Sequence, residues 1–139
     1  MSVAASTTKI FRKGLIFREG DRGETMYVIR SGKVKITKNM YGIMVRIAEL
    51  GPGDYFGEMT LLEGVPRSAS AIAETPVEVD VLERDTLRAR IAAEPELAMT
   101  LLKGLSHRLR QIDDKVTDLV ARGRLPKEEA SAIGQHSLV

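Results

Sequence analysis

One segment of the chain, residues 56–70, combines residue types that suit an anionic ligand. Gly57 precedes a carboxylate, Glu58, in a single helical turn that the pair Leu61–Leu62 is expected to anchor in the core, and a loop then returns to Arg67 at the start of a strand. The free N–H groups at the start of a helix suit an anion, and a glycine lets a ligand approach the backbone closely. Arg67 offers a planar fork of donors to phosphate oxygens, whereas the Glu58 carboxylate suits a hydroxyl. These residues together indicate a ligand with an anionic end and a nearby hydroxyl, as in a nucleotide.

A salt bridge between Glu58 and Arg67 that pins a loop is a purely structural interpretation of the same residues. For those two residues alone, the salt bridge is the simpler interpretation. The presence of Gly57, Pro66 and Ser68 in the same segment favours a ligand site instead.

The elements that position this segment are predicted from hydrophobic periodicity. Short apolar or alternating runs separated by Gly-rich turns predict β-strands through the first two-thirds of the chain. The predicted strands are Ile10–Arg12, Leu15–Phe17, Thr25–Arg30, Lys33–Lys38, Met44–Ala48 and Val77–Leu82, with turns at Gly20–Gly23 and Asn39–Gly42. Strands this short and this closely spaced indicate a barrel, a roll or a sandwich.

The period changes to that of a helix after Glu83. Asp85 is predicted to cap a short helix, and Pro95 suits the first turn of a longer one. The longer helix is expected to end near Arg122–Gly123. Residues 126–130 predict one more helical turn before a loose tail.

Apolar residues in the longer helix recur at alternating spacings of four and three, which is the a and d pattern of a coiled coil. They are Ala98, Leu102, Leu105, Leu109, Ile112, Val116 and Leu119. The stripe is narrow and has polar neighbours, so it suits a second helix better than a sheet. The pattern favours a homodimer through this helix, and packing within one chain is the alternative.

Composition places the chain among globular proteins and removes several classes of function. With 139 residues, 43% of them hydrophobic, it can form a single core, and its net charge of +2 makes no strong field for nucleic acid. The absence of Cys excludes disulfides, thiolate metal sites and Cys nucleophiles, and it fits a reducing cytoplasm. No apolar run has the length of a membrane span and no signal peptide is indicated, so we expect a cytoplasmic location.

Residues 56–70 resemble the phosphate-binding cassette of the cyclic nucleotide-binding domain family. The family pattern runs Phe-Gly-Glu, a small or apolar pair, Leu, a short loop, Pro-Arg, a small residue and Ala. The likeness covers about residues 9–122, and upstream it is carried by Gly20–Asp21, Tyr27–Val34 and Leu50–Glu58. Within the family the chain looks most like the bacterial catabolite activator group, whose β-roll is followed by a long dimerisation helix.

The resemblance implies a mainly β fold with C-terminal α structure: an antiparallel, jelly-roll-like β-roll, a short helix and a long dimerisation helix. We expect the cyclic nucleotide-binding β-roll over 1–93, the long helix over 94–122 and a tail over 123–139. A helix-turn-helix unit needs several times the length that follows residue 122. The sequence therefore predicts either a stand-alone protein or a piece of a longer one.

The resemblance also implies roles for individual residues. Glu58 matches the glutamate that accepts from the ribose 2′-hydroxyl, and Arg67 matches the arginine that pairs with the cyclic phosphate. The remaining positions expected around the phosphate and sugar are Gly57, Met59, Ser68 and Ala69. Those expected around the base are Ile36, Ile47 and Ala48 on strands, and Ile112 and Asp113 on the long helix.

The sequence leaves the choice of base between two cyclic nucleotides. Overall likeness favours cyclic AMP. Asp113 would match the N1–H and N2–H donors of guanine if its carboxylate faces the base, and the Ser68 hydroxyl would either accept from the guanine amino group or bond the phosphate. If Asp113 instead faces water beside Ile112, it has no role in choosing the base. We predict cyclic AMP, with cyclic GMP or another ligand as the alternative.

Three further classes of function compete with a cyclic nucleotide-binding regulatory domain. An enzyme of the cupin type needs His and carboxylate metal ligands inside its barrel, whereas His107 and His136 lie outside the predicted strands, so we expect no enzyme, no metal and no cofactor. The second class is the ligand-binding part of a transcriptional regulator, and the third is a free-standing sensor that docks on a protein effector. The chain alone is expected to bind neither DNA nor a membrane, and to signal through its long helix.

Overall fold

The computed structural model of the protein describes residues 7–123. The chain divides into two compact units, one ending at Leu97 and the other beginning at Ala98. The helical turn predicted at 126–130, His136 and the expected tail beyond Gly123 lie outside the described residues.

Eight β-strands form in the described part of the first unit. They are β1 (Thr7–Phe11), β2 (Gly14–Phe17), β3 (Met26–Ser31), β4 (Val34–Met40), β5 (Ile43–Leu50), β6 (Tyr55–Phe56), β7 (Ser70–Ala73) and β8 (Val77–Leu82). All six strands whose bounds were predicted are present, the strand expected at Arg67 begins at Ser70 as β7, and β6 is additional. The hairpin turn is narrower than expected, because only Tyr41 and Gly42 separate β4 from β5.

The strands form two antiparallel four-stranded sheets whose order differs from the order in the chain. One sheet runs β1-β8-β3-β6 and the other β2-β7-β4-β5. Apolar residues from both sheets alternate inward and make one core, as the period of two along each strand requires. Its buried members are Ile29, Val34, Leu50, Phe56, Ala71, Ala73, Val77 and Val79. The predicted antiparallel β-roll is confirmed.

Three helices follow or interrupt the strands within the described residues: α1 (Glu58–Glu63), α2 (Arg84–Ala93) and α3 (Glu96–Ala121). The prediction that Asp85 caps α2 was wrong, because the extended residue before the helix is Glu83 and Asp85 lies in the first turn. A carboxylate in the first turn still favours the helix dipole. Pro95 directly precedes α3 rather than lying within it. No helix among residues 7–123 is both long and apolar enough to cross a membrane.

Only one of the two leucines expected to anchor α1 does so. Leu61 is 1% exposed, whereas Leu62 is 53% exposed. Successive residues of a helix point about 100° apart, so a single turn lying on a core buries one of the pair. The expectation for Leu62 was therefore wrong.

This difference predicts unequal costs for the same truncation at adjacent residues. Leu61→Ala should lower the free energy of unfolding by about 2–5 kcal/mol, because it leaves a cavity under α1. Leu62→Ala, its matched control, should change that free energy by about 0.5 kcal/mol or less. Urea denaturation of both variants measures the difference, and equal losses would contradict the assigned burial.

Candidate ligand site around Arg67

The backbone of Arg67 is held by the turn at Gly20–Asp21. The Arg67 carbonyl accepts from the Gly20 N–H at 2.8 Å, and the Arg67 N–H donates to the Asp21 carbonyl at 2.8 Å. Asp21 stabilises its own turn, since its carboxylate accepts from the Arg18 N–H at 2.9 Å. The Gly-Asp pair that supports the family likeness thus acts directly on the arginine, although the two are far apart in the sequence.

The guanidinium of Arg67 is enclosed by backbone carbonyls and aromatic rings. Nη1 donates to the carbonyl of Thr25 at 2.8 Å and to that of Gly57 at 3.1 Å. Cζ lies 4.3 Å from the ring centroid of Phe17 and 5.8 Å from that of Tyr27. The residue is 5% exposed. Carbonyl oxygens and ring faces both stabilise a cation, so this enclosure suits the arginine charge.

Two glycines make room for this guanidinium. A Cβ atom at Gly23 would lie 2.5 Å from Nη2 of Arg67, and one at Gly57 would lie 2.8 Å from Nη1. Gly57 also has a φ of 82°, which favours glycine and turns the chain from β6 into α1. A side chain at either position would displace Arg67 from its hydrogen bonds.

The electrostatics of Arg67 follow from its burial. Desolvation lowers the pKa of Arg67 below its ordinary value, while Tyr27, Asp21 and Glu58 act to raise it. Arginine nevertheless stays charged in proteins. Its Nε is buried and has no hydrogen-bond partner among residues 7–123. Arg67 is therefore a desolvated cation with one unused donor, and an anion that reached Nε would satisfy that donor.

The other predicted cassette residues lie within two residues of Glu58 or Arg67 in the chain, and two of them, Met59 and Ser68, contact each other. Glu58 opens α1 directly after Gly57 and is 8% exposed. The Ser68 hydroxyl donates to the sulfur of Met59 at 3.3 Å, and Ala69 is buried. The hydrogen bond between Ser68 and Met59 joins the residue after Arg67 to the start of α1, so these two parts of the cassette are in contact. The contact of each residue with a ligand stays a prediction.

The residues predicted to surround the base fall into two groups. Ile36 and Ala48 are register partners in β4 and β5, and both pack against the core. The next pair is Thr37 with Arg46, so Ile47 is the extra residue of a β-bulge between them. Ile112 and Asp113 lie on α3, in the unit that begins at Ala98. Their roles at a base stay predictions.

Sequence reasoning missed the residues that enclose and orient Arg67. Phe17 and Tyr27 were assigned only to strands, and Gly23 only to a turn. Thr25 contributes a carbonyl, for which no side-chain signal exists. Lys38, whose Nζ donates to the carbonyl of Ser68, was predicted only as a polar position of a half-buried strand. The alternation of β4 is compatible with any polar residue there, so the pattern held no further signal.

A cleft of about 690 Å³ is lined by none of the predicted site residues, although Gly23 and Thr25, which contact Arg67, line part of it. It is lined by residues 22–25, by the second half of α1 with the loop after it, and by residues 83–85. Arg84 donates to the Leu61 carbonyl from Nε at 3.0 Å and from Nη2 at 2.8 Å. We place the candidate ligand site at the contacts of Arg67. The cleft is lined instead by parts of α1, the loop after it and the start of α2.

The Gly23 contact predicts a specific cost for one added methyl group. In Gly23→Ala the guanidinium must leave its carbonyl partners, so the free energy of unfolding should fall by about 1–3 kcal/mol. Gly51→Ala is the control, because a Cβ there would meet open space. It should change stability by about 1 kcal/mol or less. Thermal melting compares the two, and an unchanged melting temperature for Gly23→Ala would show that Arg67 is not confined at this point.

Comparison with known proteins identifies the family of the chain. Residues 9–94 match the family described as the cyclic nucleotide-binding domain. The chain is 36% identical over 136 residues to a CRP-like cAMP-activated global transcriptional regulator of Mycobacterium tuberculosis, covering 91% of this chain and 61% of the regulator. It is 42% identical over 99 residues to the cyclic AMP receptor protein of Thermus thermophilus, covering 70% of this chain and 46% of the receptor.

Solved structures give the same result for the fold. The crystal structure of the Thermus thermophilus catabolite activator protein aligns with a TM-score of 0.70 and 30% identity, covering 95% of this chain and 73% of that one. The chain thus spans about half to three-fifths of the length of the curated relatives it matches. The resemblance seen in the sequence is confirmed. Since the matched residues 9–94 contain the whole arrangement around Arg67, the chain belongs to the cyclic nucleotide-binding domain family.

Proposed function

We propose that this chain is a regulatory domain that binds cyclic AMP with the cyclic phosphate against Arg67. The observation that carries the proposal is the enclosed guanidinium, whose Nε has no partner among residues 7–123. A buried cation is stabilised by an anion that also accepts its hydrogen bonds. The exocyclic oxygens of a phosphate supply both the charge and the acceptors.

The position of Glu58 supports a ribose beside that phosphate. Glu58 is almost fully buried, and its charge acts on the pKa of Arg67, so the carboxylate and the guanidinium share one environment. A ligand that meets both must carry a hydroxyl close to its anionic group. In a 3′,5′-cyclic nucleotide the free 2′-hydroxyl is next to the phosphate ester, which matches this pair.

Cyclic AMP is the ligand we propose, because the names of two relatives specify it. The Mycobacterium tuberculosis regulator is described as cAMP-activated and the Thermus thermophilus protein as a cyclic AMP receptor. Cyclic GMP is the alternative because of Asp113. A carboxylate can pair with the two adjacent donors of guanine, whereas adenine offers only its amino group.

We further propose that the signal passes through α3 and that the chain forms a homodimer along it. The seven apolar residues with heptad spacing all lie within α3, between Ala98 and Leu119. A partner helix covers such a seam in a coiled coil, and here it would cover chiefly the residues from Ala98 to Ile112, since Val116 and Leu119 are already buried within the chain. The output of the signal is a property of the whole protein and is either transcription or action on another protein effector. The Mycobacterium tuberculosis relative is a precedent for transcription, since it is described as a transcriptional regulator.

An enzyme of the cupin type finds no support in the described part of the chain. Between residues 7 and 123, no group of three or more His, Asp or Glu side chains is placed to hold a metal ion. His107 lies on α3. Stoichiometric iron, zinc or manganese in purified protein would favour the enzyme over the regulatory domain.

Removing the Arg67 fork should selectively remove phosphate binding. Calorimetric titration should show that Arg67→Lys and Arg67→Ala weaken cyclic AMP binding by roughly 2–5 kcal/mol, because the buried phosphate loses its bidentate cation. Arg30→Ala is the control, since Arg30 is an exposed arginine paired with Asp80. It should bind as the wild type does, and full affinity in Arg67→Ala would place the phosphate elsewhere.

The same titration decides the base. Wild type should bind cyclic AMP more tightly than cyclic GMP, and Asp113→Ala should leave that order unchanged. Tighter binding of cyclic GMP that is lost in Asp113→Ala would overturn the choice of cyclic AMP and assign the carboxylate to guanine.

A charge in the heptad seam should dissociate the homodimer. Leu109→Lys buries an unpaired ammonium between helices, so dimerisation should weaken by several kcal/mol. Gln111→Lys is the matched control, because residue 111 lies on α3 outside the seam. Sedimentation velocity with and without cyclic AMP gives the measurement. Wild-type monomers at high micromolar concentration in both conditions would refute the dimer.

A further inference from the structure

The ladder between β4 and β7 ends at Ser70, the last residue of the cassette segment. Its last register pair is Thr37 with Ser70, after Val34 with Ala73 at the other end. A continued ladder would place Lys38 opposite Ala69. The chain instead turns away there toward Arg67, and the backbone pairing between the two strands stops.

The side chain of Lys38 spans this gap. Its Nζ donates to the carbonyl of Ser68 at 2.6 Å, and the lysine is half-buried. A charged donor on a carbonyl gives one of the stronger kinds of hydrogen bond, especially away from water. The contact joins the β4–β5 hairpin to the residue that directly follows Arg67.

The neighbouring residue makes a second connection between the same two segments. The Asn39 N–H donates to the Glu19 carboxylate at 3.0 Å, and the Glu19 N–H donates to the Ser70 hydroxyl at 2.9 Å. Lys38 thus contacts Ser68, the residue before Ala69. Asn39 is connected through Glu19 to Ser70, the residue after Ala69. The second connection fixes the backbone of β4 next to Lys38 and so helps to fix the position of the lysine ammonium.

Holding the Ser68 carbonyl also orients the next N–H group. A trans peptide is planar, with its C=O and N–H pointing in opposite directions, and the described chain contains no cis peptide. When Lys38 fixes the Ser68 carbonyl on one side, the Ala69 N–H is fixed toward the other. Ala69 is one of the positions expected around the phosphate.

We propose that Lys38 is a positioning residue of the phosphate site, which acts by fixing the Ser68–Ala69 peptide so that its N–H meets one exocyclic oxygen of the ligand. This inference rests on the proposed function, since it assumes a cyclic phosphate at Arg67. Lys38 also brings a second positive charge to the Ser68 side of the site. The hairpin thereby contributes to ligand affinity without touching the ribose.

The test is calorimetric titration of cyclic AMP and its two phosphorothioate diastereomers, in which sulfur replaces one or the other exocyclic oxygen. Sulfur is the weaker acceptor, so the wild type should prefer the diastereomer that keeps oxygen opposite the Ala69 N–H. Lys38→Met should weaken cyclic AMP binding by about tenfold or more and bring the affinity ratio of the diastereomers closer to one. Lys38→Arg should restore most of both.

Matched controls separate this role from a purely structural one. Lys33→Met removes an exposed lysine just before β4 and should behave as the wild type. If Lys38→Met weakens all three ligands equally, with the diastereomer ratio unchanged, the lysine acts through its charge or through the fold rather than through the Ser68–Ala69 peptide, and the inference fails. Wild-type affinity in Lys38→Met also refutes it while leaving the proposed function intact. Absence of cyclic AMP binding by the wild type would overturn both.

Discussion

The burial of one guanidinium group constrains the rest of the cassette. Moving a cation out of water costs several kcal/mol, which must be offset by acceptors placed in advance. Here the acceptors are the carbonyls of Thr25 and Gly57, and the faces of Phe17 and Tyr27 complete the enclosure. These carbonyls belong to the backbone, so the acceptors that hold Nη1 are part of the fold itself.

The site and the hydrophobic core share the same aromatic rings. Tyr27 stacks on Phe56 with centroids 5.1 Å apart, and Phe17 lies 5.8 Å from Phe56. Phe56 is a fully buried core residue at the end of β6, directly before Gly57. Core packing therefore determines where the rings lie, and the rings determine where the charge of Arg67 lies.

The short helix of the cassette is held at both ends by arginines from elsewhere in the chain. Arg67 bonds the Gly57 carbonyl before its first residue, and Arg84 makes two hydrogen bonds to the Leu61 carbonyl near its last turn. A helix of six residues has little stability of its own, because its first turn fixes several residues in return for a single hydrogen bond. These two contacts and the burial of Leu61 supply what local propensity does not. Movement of α1 must therefore involve the Arg67 site or the start of α2.

The sequence by itself determined the local features of this protein. The alternation of β4, the glycine before Glu58 and the Pro66-Arg67-Ser68 order follow from neighbours in the chain, so their strands, turn and cassette were predictable. The family likeness added ligand roles that spacing alone left open. Local rules did not predict which single residue begins a helix. At the start of α2 the N-cap is Glu83 rather than Asp85.

Only the tertiary structure decided which distant residues enclose the arginine. Gly23 and Lys38 come from two different parts of the roll, and each meets the Arg67–Ser68 pair across a contact set by sheet order and register. Leu61 and Leu62 are identical in type and adjacent in sequence, yet their burial differs because the core lies on one side of α1. Such contacts depend on the pairing of strands far apart in the chain. A pattern of period two fixes which face a residue takes but not which strand lies beside it.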